Sequence, residues 1–172
     1  MRKFYLPLLL SLFVATFGVR AQNALTQNLP TSQGEVVFVE VKELQEQELD
    51  QHMAKLADWF SGNDFVFEKV TEDDRTRDKA RGRGSIQVLW GPNNFEQYFK
   101  TVKFDIQMVV KKDRYQYRFD HFVVKDGTRE VQLEIYQSDT KLGGRYNPEC
   151  YREIDSKIKG LSDELQSAMT KD

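Results

Sequence analysis

Thr101–Val124, TVKFDIQMVVKKDRYQYRFDHFVV, is the stretch that decides the fold. Apolar and polar residues alternate on both sides of a short charged turn, Lys111-Lys112-Asp113. A period of two over about ten residues is typical of a strand with one buried face. The stretch therefore predicts a long antiparallel hairpin with one apolar and one wet face. The side chains predicted to face the core are those of Val102, Phe104, Ile106, Met108, Val110, Tyr115, Tyr117 and Phe119.

Further strands and a helix are predicted before this hairpin. Glu35–Lys42 (EVVFVEVK) is rich in β-branched residues and has a nearly continuous apolar centre, which predicts an internal strand. In Glu43–Ser61 the apolar residues recur at spacings of three and four, so an amphipathic helix is expected there. Gly62 is expected to end it, because a left-handed residue costs little at a glycine. Asp64–Thr71 and Ala80–Trp90 follow as strands.

Two glycines, Gly82 and Gly84, lie on the apolar side of the strand Ala80–Trp90. Glycine inside a strand marks a place where another element approaches closely, and the first helix is the simplest candidate. Beyond the hairpin, Glu130–Gln137 (EVQLEIYQ) predicts a sixth strand. Asn147-Pro148 then predicts the start of a terminal helix, with Asn as its cap and Pro at its first position.

The terminal helix has an apolar stripe at spacings of three and four. Fewer than three heptads are present, so the stripe is expected to cover the domain's own sheet and not to form a coiled coil. Its members are Tyr151, Ile154, Ile158, Leu161 and Leu165. Together these elements predict a single α+β domain over residues 35–169. It has an antiparallel sheet of five to six strands, two helices packed on one face, and the order β-α-β-β-β-β-(β)-α.

The first 21 residues predict a secretory signal peptide. Arg2 and Lys3 precede an apolar run, Leu6–Val19, and a small residue, Ala21, stands at the expected cleavage site. The run is too short and wrongly flanked for a stable membrane span, although an uncleaved anchor is an alternative. No cysteine directly follows the run at the processing site, so the chain is not expected to be a lipoprotein. Residues 22–34 are polar and predict a flexible linker. The signal peptide predicts that the mature protein is periplasmic or secreted.

Net charge and cysteine content exclude some classes of protein. Cleavage after residue 21 removes Arg2, Lys3 and Arg20 from the 25 basic residues and leaves 22 against 27 acidic residues, a charge of −5. Nucleic-acid-binding domains usually carry a net positive footprint, so no nucleic-acid partner is expected. The single cysteine, Cys150, cannot form an internal disulfide.

No catalytic constellation emerges from the sequence. His52 or His121 could pair with Cys150 as a nucleophile dyad, but a buried structural thiol is the favoured interpretation. The acidic run Glu72-Asp73-Asp74, with Asp78, lacks the spacing and glycine of a calcium loop and is expected to be a solvated turn. No histidine or cysteine group has metal-ligand spacing, so neither a metal nor a cofactor is expected.

The polar face of the sheet is the most suggestive surface. By alternation it presents basic side chains from three strands, with Asp105 and Asp120 placed to neutralise some of them. It is either an ordinary solvated face or an open platform for an anionic peptide or glycan. The candidate ligand residues are Arg81, Arg83, Lys103, Arg114 and Arg118.

The order of elements resembles an exported bacterial family called domain of unknown function 4468, described as having a TBP-like fold. The resemblance covers about Glu35–Gln137 and the terminal helix. The phrases that carry it are VVFVEVKEL at 36–44, ADWF at 57–60, ARGRGSIQV at 80–88 and KFDIQMVVKKDRYQYRFDHFVV at 103–124. The last contains a strand, a charged turn and a Tyr-x-Tyr/Phe strand, Lys112–Phe122, typical of the family. One departure is that Leu44-Gln45 stands where a Ser or Thr helix cap is usual.

This resemblance implies a curved, helix-covered antiparallel sheet, like half of the TATA-box-binding protein, in bacteria of the Bacteroidota type. It implies no catalytic or ligand residue. DNA binding is not expected to carry over, because the chain is acidic and its wet face lacks the aromatic wedges that kink a duplex.

Three functions remain open from the sequence. The first is an exported, non-enzymatic binding or structural module that recognises a protein or a component of the cell envelope. The second is a binder of anionic glycans or peptides on the polar sheet face. The third, least favoured, is a thiol-dependent enzyme that uses Cys150.

Overall fold

The structure, a computed structural model, describes residues 29–70, 78–90, 98–138 and 148–171. Several features predicted above lie outside these residues. They are the signal peptide at 1–21, the linker up to residue 28, the acidic turn at 72–74 and the Asn147 cap.

The described residues form eight strands and three helices. In chain order these are β1 (Thr31–Ser32), β2 (Glu35–Val36), β3 (Phe38–Glu43), α1 (Leu49–Gly62), β4 (Val66–Val70), β5 (Asp78–Trp90), β6 (Tyr98–Val110), β7 (Arg114–Asp126), β8 (Arg129–Gln132), α2 (Leu133–Ser138) and α3 (Pro148–Thr170). Pro148 is the first residue of the terminal helix, as its sequence predicts.

Six of the strands form one antiparallel sheet in the order β3-β7-β6-β5-β4. β3 and β8 share the outer side of β7: β3 pairs with 114–119 and β8 with 123–126. β1 and β2 form a separate small hairpin, and Val37 N–H donates 2.9 Å to the Pro30 carbonyl. The predicted α+β class, with an antiparallel sheet of six strands, is confirmed.

The hydrophobic core lies between the sheet and the two long helices, α1 and α3. Every hairpin residue predicted to face the core is buried. The stripe of α3 is buried as well, and α3 packs against α1 and β5, so it covers the domain's own sheet. The core residues of the stripe are Tyr151, Ile154, Ile158, Leu161 and Leu165.

The two glycines of β5 lie under aromatic rings, as their position predicts. A Cβ atom on Gly82 would come within 2.2 Å of the Phe60 ring of α1 and of the Val66 carbonyl oxygen. A Cβ on Gly84 would come within 2.7 Å of the Phe104 ring and 3.1 Å of Phe65. These rings pack edge-to-face with Trp59 and with one another, an arrangement that adds to their burial.

Helix α1 connects the two opposite edges of the sheet, because β3 precedes it and β4 follows it. Its 14 residues span about 21 Å at about 1.5 Å per residue. Four strand spacings of about 4.8 Å give a sheet width of about 19 Å, so the helix matches the width that it covers. His52 Nε2 donates 3.1 Å to the Lys112 carbonyl, which ties the start of α1 to the β6–β7 turn.

A β-bulge interrupts the hairpin at His121. Asp105 lies opposite Asp120, but Lys103 lies opposite Val123, so β7 has one residue more than β6 in this region. His121 has a φ of 51°, the left-handed conformation that bulges use. Because of the extra residue, the core-facing positions of β7 change from odd numbers, ending at Phe119, to even numbers, beginning at Phe122, which is fully buried.

The prediction that Glu35–Lys42 is one internal strand is wrong. The segment is divided between β2 and β3, and β3 is an edge strand that pairs with β7 alone among the described strands. The valine run looks internal because apolar residues stand on both faces, but Val39 and Val41 are exposed.

The predicted sixth strand ends earlier than expected. Only Arg129–Gln132 is strand, and the chain turns into α2 at Leu133. Leu133 is fully buried, and the Glu134 carboxylate accepts a 2.7 Å hydrogen bond from Val36 N–H. The alternation of Val131, Leu133 and Ile135 therefore does not mark one buried face, because Leu133 is fully buried while Ile135, two residues on in α2, is 41% exposed.

The ends of α1 also differ from expectation. The helix begins at Leu49 after Glu48, which makes no side-chain capping bond. Gly62 lies inside the last turn, and Asn63 follows as the C-cap, with its amide donating 3.0 Å to the Trp59 carbonyl. The left-handed residue that ends the turn is Asp64, with a φ of 55°.

Candidate functional site

In the edge strand β3, two valines lie on the open face of the sheet and two charged residues lie on the helix side. Val39 and Val41, on the face opposite the helices, are 52% and 57% exposed. Glu40 and Lys42 lie on the helix side, where they form a 2.7 Å ion pair. An edge strand usually carries charged residues toward solvent to prevent other strands from pairing with it. β3 instead exposes two valines on this side, next to the exposed Glu43.

A cavity of about 400 Å³ adjoins β3 on the helix side. Val37, Phe38 and Val39 form one wall, and α3 forms the opposite wall through Ile158 and Ser162. The remaining lining residues are Pro30, Thr31, Ser32, Glu40, Tyr117, Lys159 and Asp163. An apolar lining with few polar groups is typical of ligand pockets, and the volume is that of a site for a side chain or a small ligand.

The polar groups of this cavity form a short hydrogen-bonded chain. Ser162 Oγ donates 2.8 Å to the Tyr117 hydroxyl, which donates 2.7 Å to Glu40 Oε2. Burial raises the pKa of Tyr117 to about 12, and the Glu40 carboxylate contributes to the rise. The bonds that Glu40 accepts from Lys42 and Tyr117 lower the pKa of its carboxyl group. At neutral pH the cavity therefore presents a neutral phenol fixed against a carboxylate.

The five basic residues predicted from the polar face are only partly brought together. Across β5, β6 and β7, Arg81 lies opposite Gln107, which lies opposite Arg118. Arg83 lies one same-face step along, opposite Asp105, and Lys103 lies one step further, opposite Ser85. Arg114 is near the hairpin turn, paired with Glu43 of β3. Four of the five basic groups make ion pairs: Arg83–Asp105 at 3.7 Å, Lys103–Glu130 at 2.5 Å, Arg114–Asp113 at 3.0 Å and Arg118–Asp120 at 2.5 Å.

These ion pairs bear on the anion-platform hypothesis. The acids that sequence reasoning placed among the arginines are in contact with them, and Glu130 of β8 adds a third acid that the sequence did not suggest. A face of paired charges attracts an anion less than a face of unpaired cations does, because each acid offsets one base. Anion binding by this face stays a prediction.

Cys150 is buried near the start of α3. Its Sγ donates 3.3 Å to the Leu89 carbonyl, and the residue is 1% exposed. His52 is also buried and donates to the hairpin turn. Such a bonded, enclosed thiol fits the structural role that the sequence favours.

Metal-ligand residue types come together at the bulge and not along the sequence. Within the part of the chain that the structure describes, one group of three could hold an ion: Asp105, Asp120 and His121, whose ligand atoms lie within 4.8 Å of one another.

Across the same ranges, none of the helices has the length and apolar character needed to span a membrane.

Sequence reasoning missed the cavity and the bulge for different reasons. The cavity needs α3 to dock beside β3, and no local pattern encodes that contact. The bulge does leave a signal, since the apolar residues of β7 move from odd positions, ending at Phe119, to even positions, beginning at Phe122. A phase change inside one alternating run indicates an inserted residue.

The fold defines the chain as a TBP-like α+β protein, with a helix-covered antiparallel sheet. A TBP-like protein from Parabacteroides distasonis is similar with a TM-score of 0.62 and 11% identity, over 81% of this chain and 96% of that chain. A DUF4468 family protein from Bacteroides ovatus is similar with a TM-score of 0.61 and 13% identity, over 84% and 91%. No family model and no curated protein matches the sequence.

The resemblance inferred from the sequence is therefore confirmed at the level of the fold. Identities of 11% and 13% show shared architecture and carry no information about ligands.

Proposed function

We propose that this protein is a binding module that takes an extended segment of a partner protein along the outer edge of β3. The observation that carries the proposal is an edge strand with two exposed apolar side chains, Val39 and Val41, beside a cavity of about 400 Å³. Added strands are held by main-chain hydrogen bonds, and pockets for alternate side chains give the selectivity.

The geometry supports an antiparallel or parallel strand with alternating side chains. Side chains on one face of such a segment would extend the apolar row of Val39 and Val41. Side chains on the other face would enter the cavity, where Ile158 and Phe38 offer apolar contact. The Tyr117 and Ser162 hydroxyls provide the polar end of that cavity. The expected ligand is therefore an extended peptide with apolar residues at every second position.

The site of action is part of the same proposal. The basic start and apolar run of residues 1–21 support export, so the partner is sought among proteins of the cell envelope. Amino-terminal sequencing of the mature protein tests this, with a start near Gln22 expected. A mature protein that retains Met1 would contradict export by cleavage.

Selection from a phage-displayed library of random linear peptides tests the binding mode. Peptides with alternating apolar residues are expected to bind the wild type, and Val39→Lys with Val41→Lys is expected to weaken them at least about tenfold. Val66→Lys is the matched control, because Val66 is as exposed but lies on the opposite edge strand, β4. Binding that survives the β3 double substitution would refute the proposal.

Hydrogen exchange locates the bound peptide independently. Amides of Phe38–Glu43 are expected to exchange more slowly in the complex, because strand addition pairs the outward N–H groups. Protection confined to β5 and β6, around Arg81 and Arg83, would point to the polar face instead. A shift to a dimer without peptide would show that a second copy occupies the edge.

A further inference from the structure

We infer that the bulge of β7 is a binding site for a divalent transition-metal ion, with Asp105, Asp120 and His121 as its protein ligands. The site lies on the open face of the sheet, in the interior of β6 and β7, and is independent of the β3 edge. Mixed imidazole and carboxylate ligands suit Zn²⁺, Co²⁺ and Ni²⁺, with Zn²⁺ as the first ion to test.

Three ligand atoms converge at the bulge. His121 Nδ1 lies 3.1 Å from Asp120 Oδ1 and 3.6 Å from Asp105 Oδ2. Two ligands that are each about 2.0–2.1 Å from a tetrahedral zinc ion stand about 3.3 Å apart. These two separations lie on either side of that value, and all three ligand atoms lie within 4.8 Å of one another, so side-chain rotations can bring them around one ion. Water would complete the coordination.

Each carboxylate offers one oxygen to the cluster and holds the other in an outer contact. Asp120 Oδ2 accepts from Arg118 Nε at 2.5 Å and from Gln107 Nε2 at 3.3 Å. Asp105 Oδ1 faces Arg83 Nε at 3.7 Å. Outer contacts of this kind orient metal ligands and are the usual surroundings of a metal-bound carboxylate.

Burial supports the assignment as well. The Asp120 side chain is only 2% exposed, although it lies on the face of the sheet that meets water. A buried carboxylate needs compensation from bonds or opposite charge. Arg118 supplies this on one oxygen, while the other is directed at His121. His121 Nδ1 thus lies between two carboxylates, the position from which the three groups can share one cation.

The bulge is what makes the cluster possible. Without the extra residue, position 121 would continue the inward phase of Phe119 and point into the core. The left-handed φ of His121 instead places its side chain on the open face beside Asp105 and Asp120. Arg83 is the competing charge, and it is largely exposed and loosely held, so its side chain can turn into solvent at little cost.

Calorimetric titration with Zn²⁺, repeated with Co²⁺ and its visible absorption, tests the site. The wild type is expected to bind one ion with a histidine nitrogen among its ligands. His121→Asn, which tolerates the left-handed backbone, and Asp105→Asn, at an exposed position, are each expected to lose saturable binding. Gln107→Ala removes only an outer contact and is expected to weaken binding about tenfold.

Thermal unfolding of each variant without metal separates loss of binding from loss of fold. Bound Zn²⁺ is expected to raise the wild-type Tm and to leave that of His121→Asn unchanged. Equal titration curves for wild type and His121→Asn would refute the inference. So would the absence of saturable binding by a folded wild type up to millimolar Zn²⁺.

Discussion

The two faces of the sheet hold their residues by different forces. On the helix side, aromatic rings pack over the glycines of β5. Phe104 packs edge-to-face with Phe65 and makes tilted contacts with Phe119 and Phe122. On the open side, the arginines and aspartates form ion pairs, and Phe99 of the same strand β6 is 66% exposed. Close packing fixes the first face, whereas solvent-screened charges hold the second. The open face is therefore the one that can change without loss of the fold.

Removing one ring from each face of β6 gives the largest expected contrast. Phe104→Ala is expected to lower the free energy of unfolding by about 3–5 kcal/mol, since it leaves a cavity among three rings. Phe99→Ala is the matched control and is expected to change it by no more than about 0.5 kcal/mol. Urea unfolding measures both. Comparable losses would show that the two faces are packed alike.

Adding one methyl group tests the close packing of the helix side without removing a contact. Gly82→Ala is expected to cost about 1–3 kcal/mol or more, because its Cβ would meet the Phe60 ring and the Val66 carbonyl oxygen. Gly160→Ala is the control within α3, where a Cβ meets nothing within 4 Å. There the helix is expected to gain about 0.5–1 kcal/mol. Thermal unfolding of the pair decides, and a neutral Gly82→Ala would contradict the close crossing of α1.

Tyr117 is buried in the core and also lines the cavity. Its replacement is expected to have an intermediate effect on the free energy of unfolding. Tyr117→Phe removes two hydrogen bonds and is expected to cost about 1–2 kcal/mol at neutral pH. Tyr115→Phe is the control, since the Tyr115 hydroxyl makes no hydrogen bond to the described residues. Urea unfolding is expected to show little change for that variant, and an equal loss in both would deny the Ser162–Tyr117–Glu40 chain its stabilising role.

Tyr117 also makes the stability of the protein depend on pH, and the direction follows from its raised pKa. The pKa of Tyr117 is raised to about 12 in the folded protein, above an ordinary tyrosine pKa of about 10. The folded state therefore favours the neutral phenol, and this contribution to stability is complete below pH about 10. It is lost as pH rises from there to about 12. Stability measured across that range should fall less steeply in Tyr117→Phe, and identical slopes would contradict the raised pKa.

The smallest expected effect is at the bulge on the open face. His121→Gly relieves a left-handed backbone but loses the contact with Asp120, so its stability is expected within about 0.5 kcal/mol of the wild type. His121→Val keeps a Cβ and adds branching, and is expected to cost about 1–2 kcal/mol. Thermal unfolding without added metal distinguishes them. A stable His121→Val would argue against the bulge conformation.

Whether a structural feature can be predicted from the sequence depends on how far apart in the chain the interacting residues are. Alternation over Thr101–Val124 and the glycines of β5 are local signals, and both led to correct features of the fold. The position of β3 at an edge is not local, because β3 joins β7 some 75 residues later, by the pairing of Glu43 with Arg114 and of Phe38 with Phe119. An apolar run alone cannot distinguish an internal strand from an exposed one.

The candidate sites show the same dependence. Arg81, Arg83, Lys103 and Arg118 lie on one face of the sheet, as their period of two predicts. The acids that pair with Arg83, Lys103 and Arg118 depend on the register and on Glu130 of β8. The cavity needs Ser162 of α3 to reach Tyr117 across 45 residues. Such contacts follow from how elements dock, which no single period of a sequence encodes.

Because α1 spans the sheet from β3 to β4, the two edges are mechanically joined. The chain from residue 38 to 70 behaves as a clamp around β5, β6 and β7, three sequential strands whose contacts are local and can form early in folding. Because α1 joins β3 to β4 in one continuous segment, displacement of α1 is expected to loosen both edges of the sheet together.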